Sequence, residues 1–235
     1  ERIKMELIKN YPDSRFVSLI LNPSSALTQL ANSPEGTYEK AYQSYEAGEL
    51  ELAIEQSEKA IFDFDGDPIV SRFEMLSLTA GARLFGFEYY KKGLEQLSVN
   101  YPNSVEGKRA IELLDGAIKD LENNNFRDQT LAEDCKVIYT FLRSDQELID
   151  DFSKQLSEAL SGVKLFKLST SVEIYNQNIT FVIVNGLKSI QGAEGFGEIL
   201  KESKIKLDRD FFPISSENYQ VLQVHKNLEK FLEQK

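Results

Sequence analysis

Five oxygen-bearing side chains lie at the spacing that wraps a hard cation. With Asp63 as the first loop position, Asp65, Asp67, Ser71 and Glu74 fall at the side-chain ligand offsets of an EF-hand, and Val70 at its apolar position. The sharp turn of such a loop requires glycine at the sixth position, where this chain has Pro68. Proline's fixed φ forbids the left-handed turn. The weak calcium-like spacing of Asp63, Asp65, Asp67 and Glu74 therefore yields to a plainer reading. It is an acidic inter-helix loop in which Asp67 or Ser71 caps the next helix.

The other reactive groups are sparse. Gly192-Ala193-Glu194-Gly195-Phe196-Gly197 is glycine-rich ahead of a helix, where a phosphate can sit. The spacing is not that of a P-loop, and no Gly-Lys-Ser/Thr follows, so a helix start packed closely on a sheet is expected. His225 is the single histidine. General-base work needs an orienting carboxylate and a nucleophile beside it, and His225 instead falls on an apolar helical stripe. The single cysteine, Cys135, has no CxxC partner and reads as a small buried hydrophobe. One histidine and one cysteine do not make an ordinary zinc set. Carboxylates such as Glu49, Glu51, Glu55 and Glu58, with Lys59, read as a solvated helix face. The expectation is a non-enzymatic protein without cofactor or metal.

The formal net charge of -11 repels phosphate backbones and anionic lipid, which removes nucleic acid and charged membrane surfaces from the partner classes. No apolar stretch approaches the ~20 residues of a transmembrane helix. Aromatic side chains dominate binding hot spots, so Tyr38, Tyr42, Tyr45, Phe87, Tyr89 and Tyr90 are the candidate partner-binding residues, with Phe85 among the same aromatics. Most of these are expected between helices, with a surplus on one face for a partner helix or peptide.

The elements that must position these groups fall into two halves, 1–127 and 133–235. The first has helical periodicity. Tyr38, Ala41, Tyr42 and Tyr45 form one face, and Leu52, Ala53, Ser57, Ala60, Ile61 and Phe64 the next, with turns at 47–49 and 66–68. Asn10-Tyr11-Pro12-Asp13-Ser14 recurs as Asn100-Tyr101-Pro102-Asn103-Ser104, each after an amphipathic stretch. Proline stops the helix before it and serine caps the one after. A helix over 105–121 follows, and the polar run 123–128 marks the boundary. Because the stretch before Tyr11 reads as the second half of a helix, the sequence is expected to be a fragment of a longer protein, with any targeting segment outside it.

The second half changes period. Strands are expected over 136–142, 163–175, 179–184 and 211–214. Helices are expected over 145–160, with Leu148, Ile149, Phe152, Leu156 and Leu160 inward, and over 192–203, with Phe196, Ile199 and Leu200 inward. One closing helix over 216–233 carries Val221, Leu222, His225, Leu228 and Leu232 on a stripe. The order β-α-β-β-α-β is the ferredoxin-like plan, an antiparallel sheet with helices on one face.

Ala41, Gly48, Ala53 and Ala60 sit where a tetratricopeptide (TPR) unit of ~34 residues places small residues, so the first half resembles that repeat. Tyr45 lies one place from the usual tyrosine. In the next unit, 71–101, Gly81, Gly93 and Leu97 fit with stretched spacing. Degenerate α-hairpin repeats with flanking helices, then a ferredoxin-like α+β domain, are the expected architecture. Four further segments extend the resemblance: Tyr38-x-x-Ala41-Tyr42-x-x-Tyr45, 71–76, 181–187 and 214–219 followed by 225–228. Together they resemble the C-terminal region of the SprE/PorW TPR lipoproteins of Bacteroidetes. That resemblance implies a periplasmic protein held at the outer membrane by an N-terminal lipid outside this sequence. It also implies a role in type IX secretion and gliding motility, with PorK/PorN ring components and the outer-membrane translocon as partners. Cys135, mid-chain, is not the lipidated cysteine. A second reading is a small-ligand or regulatory ferredoxin-like domain, with 186–197 lining the site. An RNA-binding sheet is disfavoured, because 179–184 lacks the basic-aromatic pattern.

Overall fold

A computed structural model gives an α+β protein, with eleven helices and one four-stranded antiparallel sheet among the described residues. It describes residues 2–12, 14, 17, 20–21, 30–161, 167–202 and 209–234. In chain order the elements are α1 (Arg2–Asn10), α2 (Pro34–Glu46), α3 (Leu50–Asp63), α4 (Val70–Phe85), α5 (Phe87–Asn100), α6 (Val105–Asp115) and α7 (Ala117–Glu122). Then come β1 (Cys135–Leu142), α8 (Gln146–Ser161), β2 (Ser169–Ile174), β3 (Ile179–Leu187), α9 (Ile190–Glu202), β4 (Phe211–Ser215), α10 (Ser216–His225) and α11 (Leu228–Glu233). The chain divides into two compact units, Glu1–Ala80 with Gln96–Ala110, and Gly81–Glu95 with Ile111–Lys235.

In the first unit, α2 and α3 form a hairpin across Gly48, whose φ of 79° is left-handed. Their small faces let the helices approach: Ala41, Ala53 and Ala60 are buried, and Ala41 and Ala60 join a core with Ile69, Phe73 and Leu76. The recurring turn is realised twice. Tyr11 N–H donates to the Leu7 carbonyl and Ser14 N–H to that of Tyr11, just as Tyr101 donates to Leu97 and Ser104 to Tyr101. Asp13 of the first copy lies outside the described residues.

A second repeat lies at the helix starts. Ser33-Pro34-Glu35-Gly36 and Ser104-Val105-Glu106-Gly107 start α2 and α6 identically. Ser33 Oγ donates to the Leu30 carbonyl and accepts the Gly36 N–H, at 2.8 and 3.1 Å. Ser104 does the same with Tyr101 and Gly107, at 3.0 and 2.9 Å. These are serine N-caps that also tie down the preceding turn.

The sheet of the second unit has strand order β2-β3-β1-β4, all neighbours antiparallel. One face carries Val137, Tyr139, Phe141, Val182 and Val184 against Ile149, Phe152 and Leu156 of α8 and Ala193 and Leu200 of α9. The other carries Ile138, Phe181, Ile183, Phe212 and Ile214 against Tyr219 and Leu222 of α10 and Phe231 of α11. Helices thus cover both faces, where the sequence placed them on one. Burial on both sides explains the consecutive apolar residues Val137–Tyr139 in β1 and Phe181–Val184 in β3.

Several boundaries differ from expectation. Strand β2 begins at Ser169, and residues 163–166 of the expected strand lie outside the described residues, as does Ser203 at the end of the helix after β3. Gly116 divides the helix expected over 105–121. The closing helix is two, because Lys226 turns left-handed at φ 52° and caps α10. Leu148, Ile199 and Leu232, expected inward, are exposed at 46%, 66% and 45%. The polar run at 123–128 is anchored by buried Asn218. Its Nδ2 donates to the Arg127 carbonyl at 2.9 Å and to Gln129 Oε1 at 3.2 Å, and its Oδ1 accepts Arg127 N–H at 2.9 Å.

Lys226 gives the fold a distinctive alkaline profile. Its Nζ donates to Gln223 Oε1 at 2.9 Å and lies 5.0 Å from the centre of the Tyr175 ring. Burial, aided by Arg83, lowers its pKa to about 8. An unfolded lysine titrates near ~10.4, so above pH ~8 the unfolded chain binds more protons and stability rises with pH. Burial acts oppositely on tyrosines: it lifts Tyr175 to about 12 and pushes Tyr139 and Tyr219 higher. Above pH ~10 the unfolded tyrosines lose protons that the folded ones keep, so stability falls. Urea midpoints are expected to peak near pH ~9–10. Lys226→Met should abolish the rise and leave the alkaline fall.

Candidate partner-binding face

Helix α2 starts at the Ser33 cap with Pro34 in its first turn, and Tyr38, Tyr42 and Tyr45 follow on one stripe. Tyr38 is half-buried. Its ring meets Phe73 edge-on at 5.4 Å, lies nearly parallel to Tyr42 at 6.2 Å, and carries the Arg72 guanidinium 4.1 Å from its centre. Tyr45, also half-buried, is 6.1 Å from Tyr42. Tyr42 is the exposed member at 40%. A hydrogen bond to Glu46, and that residue's charge, hold its phenol above the ordinary pKa. The arrangement is an aromatic ridge packed on Phe73, with Glu46 beside Tyr42 and the Arg72 guanidinium over Tyr38. Phenols of this kind bind apolar and polar surface at small entropic cost.

The remaining three candidates belong to the second unit. Phe87 is 4% exposed and packs against His225 at 5.0 Å, so it is a core residue. Tyr89 is exposed at 39% and touches Phe85 at 4.9 Å, while its ring fills the space over Gly81. Tyr90 is half-buried. His225 donates from Nε2 to the Leu121 carbonyl at 3.2 Å, the structural role its stripe suggested.

The loop after α3 does not gather its acids around one point. Asp63 pairs with Lys59 on α3. Asp67 Oδ1 accepts the Ile69 N–H at 2.9 Å, an Asx turn just ahead of α4. Glu74 accepts from the Tyr101 hydroxyl at 3.4 Å, and Asp65 is exposed. Among the described residues no group of three or more His, Cys, Asp or Glu is set to hold a metal ion. The glycines at 192, 195 and 197 lie inside α9, not ahead of it. Gly197 exists for packing, since a Cβ there would meet the Phe211 ring at 2.2 Å.

One polar cluster had no signal in the sequence, because its members are scattered from 136 to 223. Lys136 donates to Asn185 Oδ1 at 2.6 Å, Asn185 to Ser171 at 3.1 Å, and Ser171 to Glu173 at 3.1 Å. Tyr219 donates to the other Glu173 oxygen at 2.7 Å and accepts from Gln223 at 2.6 Å. The chain runs from a cation to a carboxylate and pins α10 to β1, β2 and β3. Its partners are mutually satisfied, which is the signature of a structural network.

No protein-family model matches this chain, and no curated protein matches it. Among the described residues no helix is long and apolar enough to cross a membrane.

Proposed function

We propose that the chain is a non-enzymatic interaction module whose helical hairpins hold a protein partner against the tyrosine ridge of α2. The ridge is the observation that carries this reading: three neighbouring phenols on one helix stripe, one exposed, with Phe73 and Arg72 packed against Tyr38. Helices α2, α4 and α6 begin at Pro34, Val70 and Val105, close to the ~34-residue period of TPR units, which supports reading them as degenerate TPR repeats. The element order β-α-β-β-α-β with strand order β2-β3-β1-β4 supports a ferredoxin-like second domain, extended by α10 and α11 over its other face. The resemblance to SprE/PorW lipoproteins supports a role in type IX secretion and gliding motility, on the periplasmic side of the outer membrane. Its partners there are ring components of PorK/PorN type and the translocon.

The test is affinity capture from a cell-envelope extract with the wild-type chain and with Tyr42→Ala. Loss of an exposed aromatic anchor is expected to weaken retention of a bound partner about tenfold or more, the scale of a hot spot. Equal retention by both would remove the ridge from the interface.

A further inference from the structure

Between the turn that ends α3 and the turn that precedes α6 lies a cleft of about 490 Å³ in the first unit. Pro68 and Val70 line it from the first turn, and Tyr101 and Pro102 from the second. Asp65 and Asp67 also line it, and two more carboxylates stand behind its walls. Glu74 accepts from the Tyr101 hydroxyl, and Glu106 accepts from buried Ser71 at 2.8 Å. Among the described residues that line it, none is basic. Asp65 makes no hydrogen bond or ion pair with the described residues, and Asp67 spends one oxygen on the Ile69 N–H. Burial, then Glu74 and Asp65, raises the Tyr101 pKa, so the phenol sits in negative potential.

An apolar floor with an acidic rim selects a partner with the opposite pattern. Arginine meets both demands: its planar cation stacks on a phenol ring while its N–H fork reaches carboxylates. Among the described residues the chain already sets arginines over its own rings, Arg72 over Tyr38 and Arg209 3.7 Å over Phe141. We propose that the cleft between residues 65–71 and 100–104 docks an extended segment of the partner protein that presents an arginine flanked by apolar residues. The guanidinium lies against Tyr101 and faces Asp65 and Asp67, and the flanking apolar groups rest on Val70 and Pro102. This rests on the reading of the chain as an interaction module, and adds a second contact of defined chemistry.

The probe is the capped peptide acetyl-Gly-Leu-Arg-Leu-Gly-amide, titrated into the isotopically labelled chain and followed by amide chemical shifts. A citrulline peptide of the same shape removes only the charge. The expected result is saturable shifts over 65–71 and 100–106. They should weaken about tenfold with citrulline, several-fold with Asp65→Asn, and again on raising salt to about 0.3 M. Equal response to both peptides, shifts confined to other segments, or no saturation would overturn the proposal. The two readings fail separately. A cleft blind to arginine, with capture still sensitive to Tyr42→Ala, sinks this inference alone. Arginine-dependent shifts, with capture indifferent to Tyr42→Ala, sink the ridge alone.

Discussion

Deleting residues 216–235 is expected to abolish cooperative folding of the second unit. The deletion strips Tyr219, Leu222 and Phe231 from the face of the sheet that carries Ile138, Phe181, Ile183, Phe212 and Ile214. It also removes Asn218, which holds the 126–129 segment, and the hydroxyl that satisfies Glu173. Each large side chain is worth about 1.5–3 kcal/mol of burial, so those three alone account for roughly 5–9 kcal/mol. A typical domain has about 5–15 kcal/mol in total. Near-UV circular dichroism and dye binding should report a loose, dye-binding state in place of a sharp urea transition. A truncated chain with an unchanged midpoint would mean that the second face is not part of the core.

Gly107→Ala should be strongly destabilising in the helical half. An added Cβ would lie 1.9 Å from the Tyr101 carbonyl oxygen and 2.7 Å from its carbon. Those are backbone atoms that the Ser104 cap holds in place, so the turn must open and the cap must break. Overpacking costs about 1–3 kcal/mol and a lost cap about 1, giving roughly 2–4 kcal/mol together. The midpoint of thermal unfolding should fall by about 5–15 °C. Gly195→Ala on α9 is the control, since a Cβ there meets nothing within 4 Å. It should instead gain about 0.5–1 kcal/mol of helix propensity. Equal effects at the two sites would show that the close approach at Gly107 is unimportant.

The parts of the fold that were legible follow local rules. Small residues at Ala41, Ala53 and Ala60 announced a tight hairpin, and the turn residues at 100–104 announced a helix boundary. The consecutive apolar residues in β1 and β3 also held the two-sided burial of the sheet, a signal that alternation-based reading passes over. The break at Lys226 was invisible, because a lysine in the left-handed region is uncommon and the apolar stripe continues across it through Leu228. The aromatic set was legible by type but not by exposure. Phe87 faces His225 in the core, whereas Tyr42 faces solvent. The polar network from Lys136 to Gln223 joins three strands and a helix, and only tertiary pairing brings such residues together.

A photo-crosslinking amino acid placed at residue 42 tests the central claim most directly, with the same probe at exposed Glu58 on α3 as reference. The account predicts a crosslink from position 42 to a discrete protein partner, absent from position 58. Identical crosslinking from both positions, or none from 42 in cells where the chain is active, would contradict it.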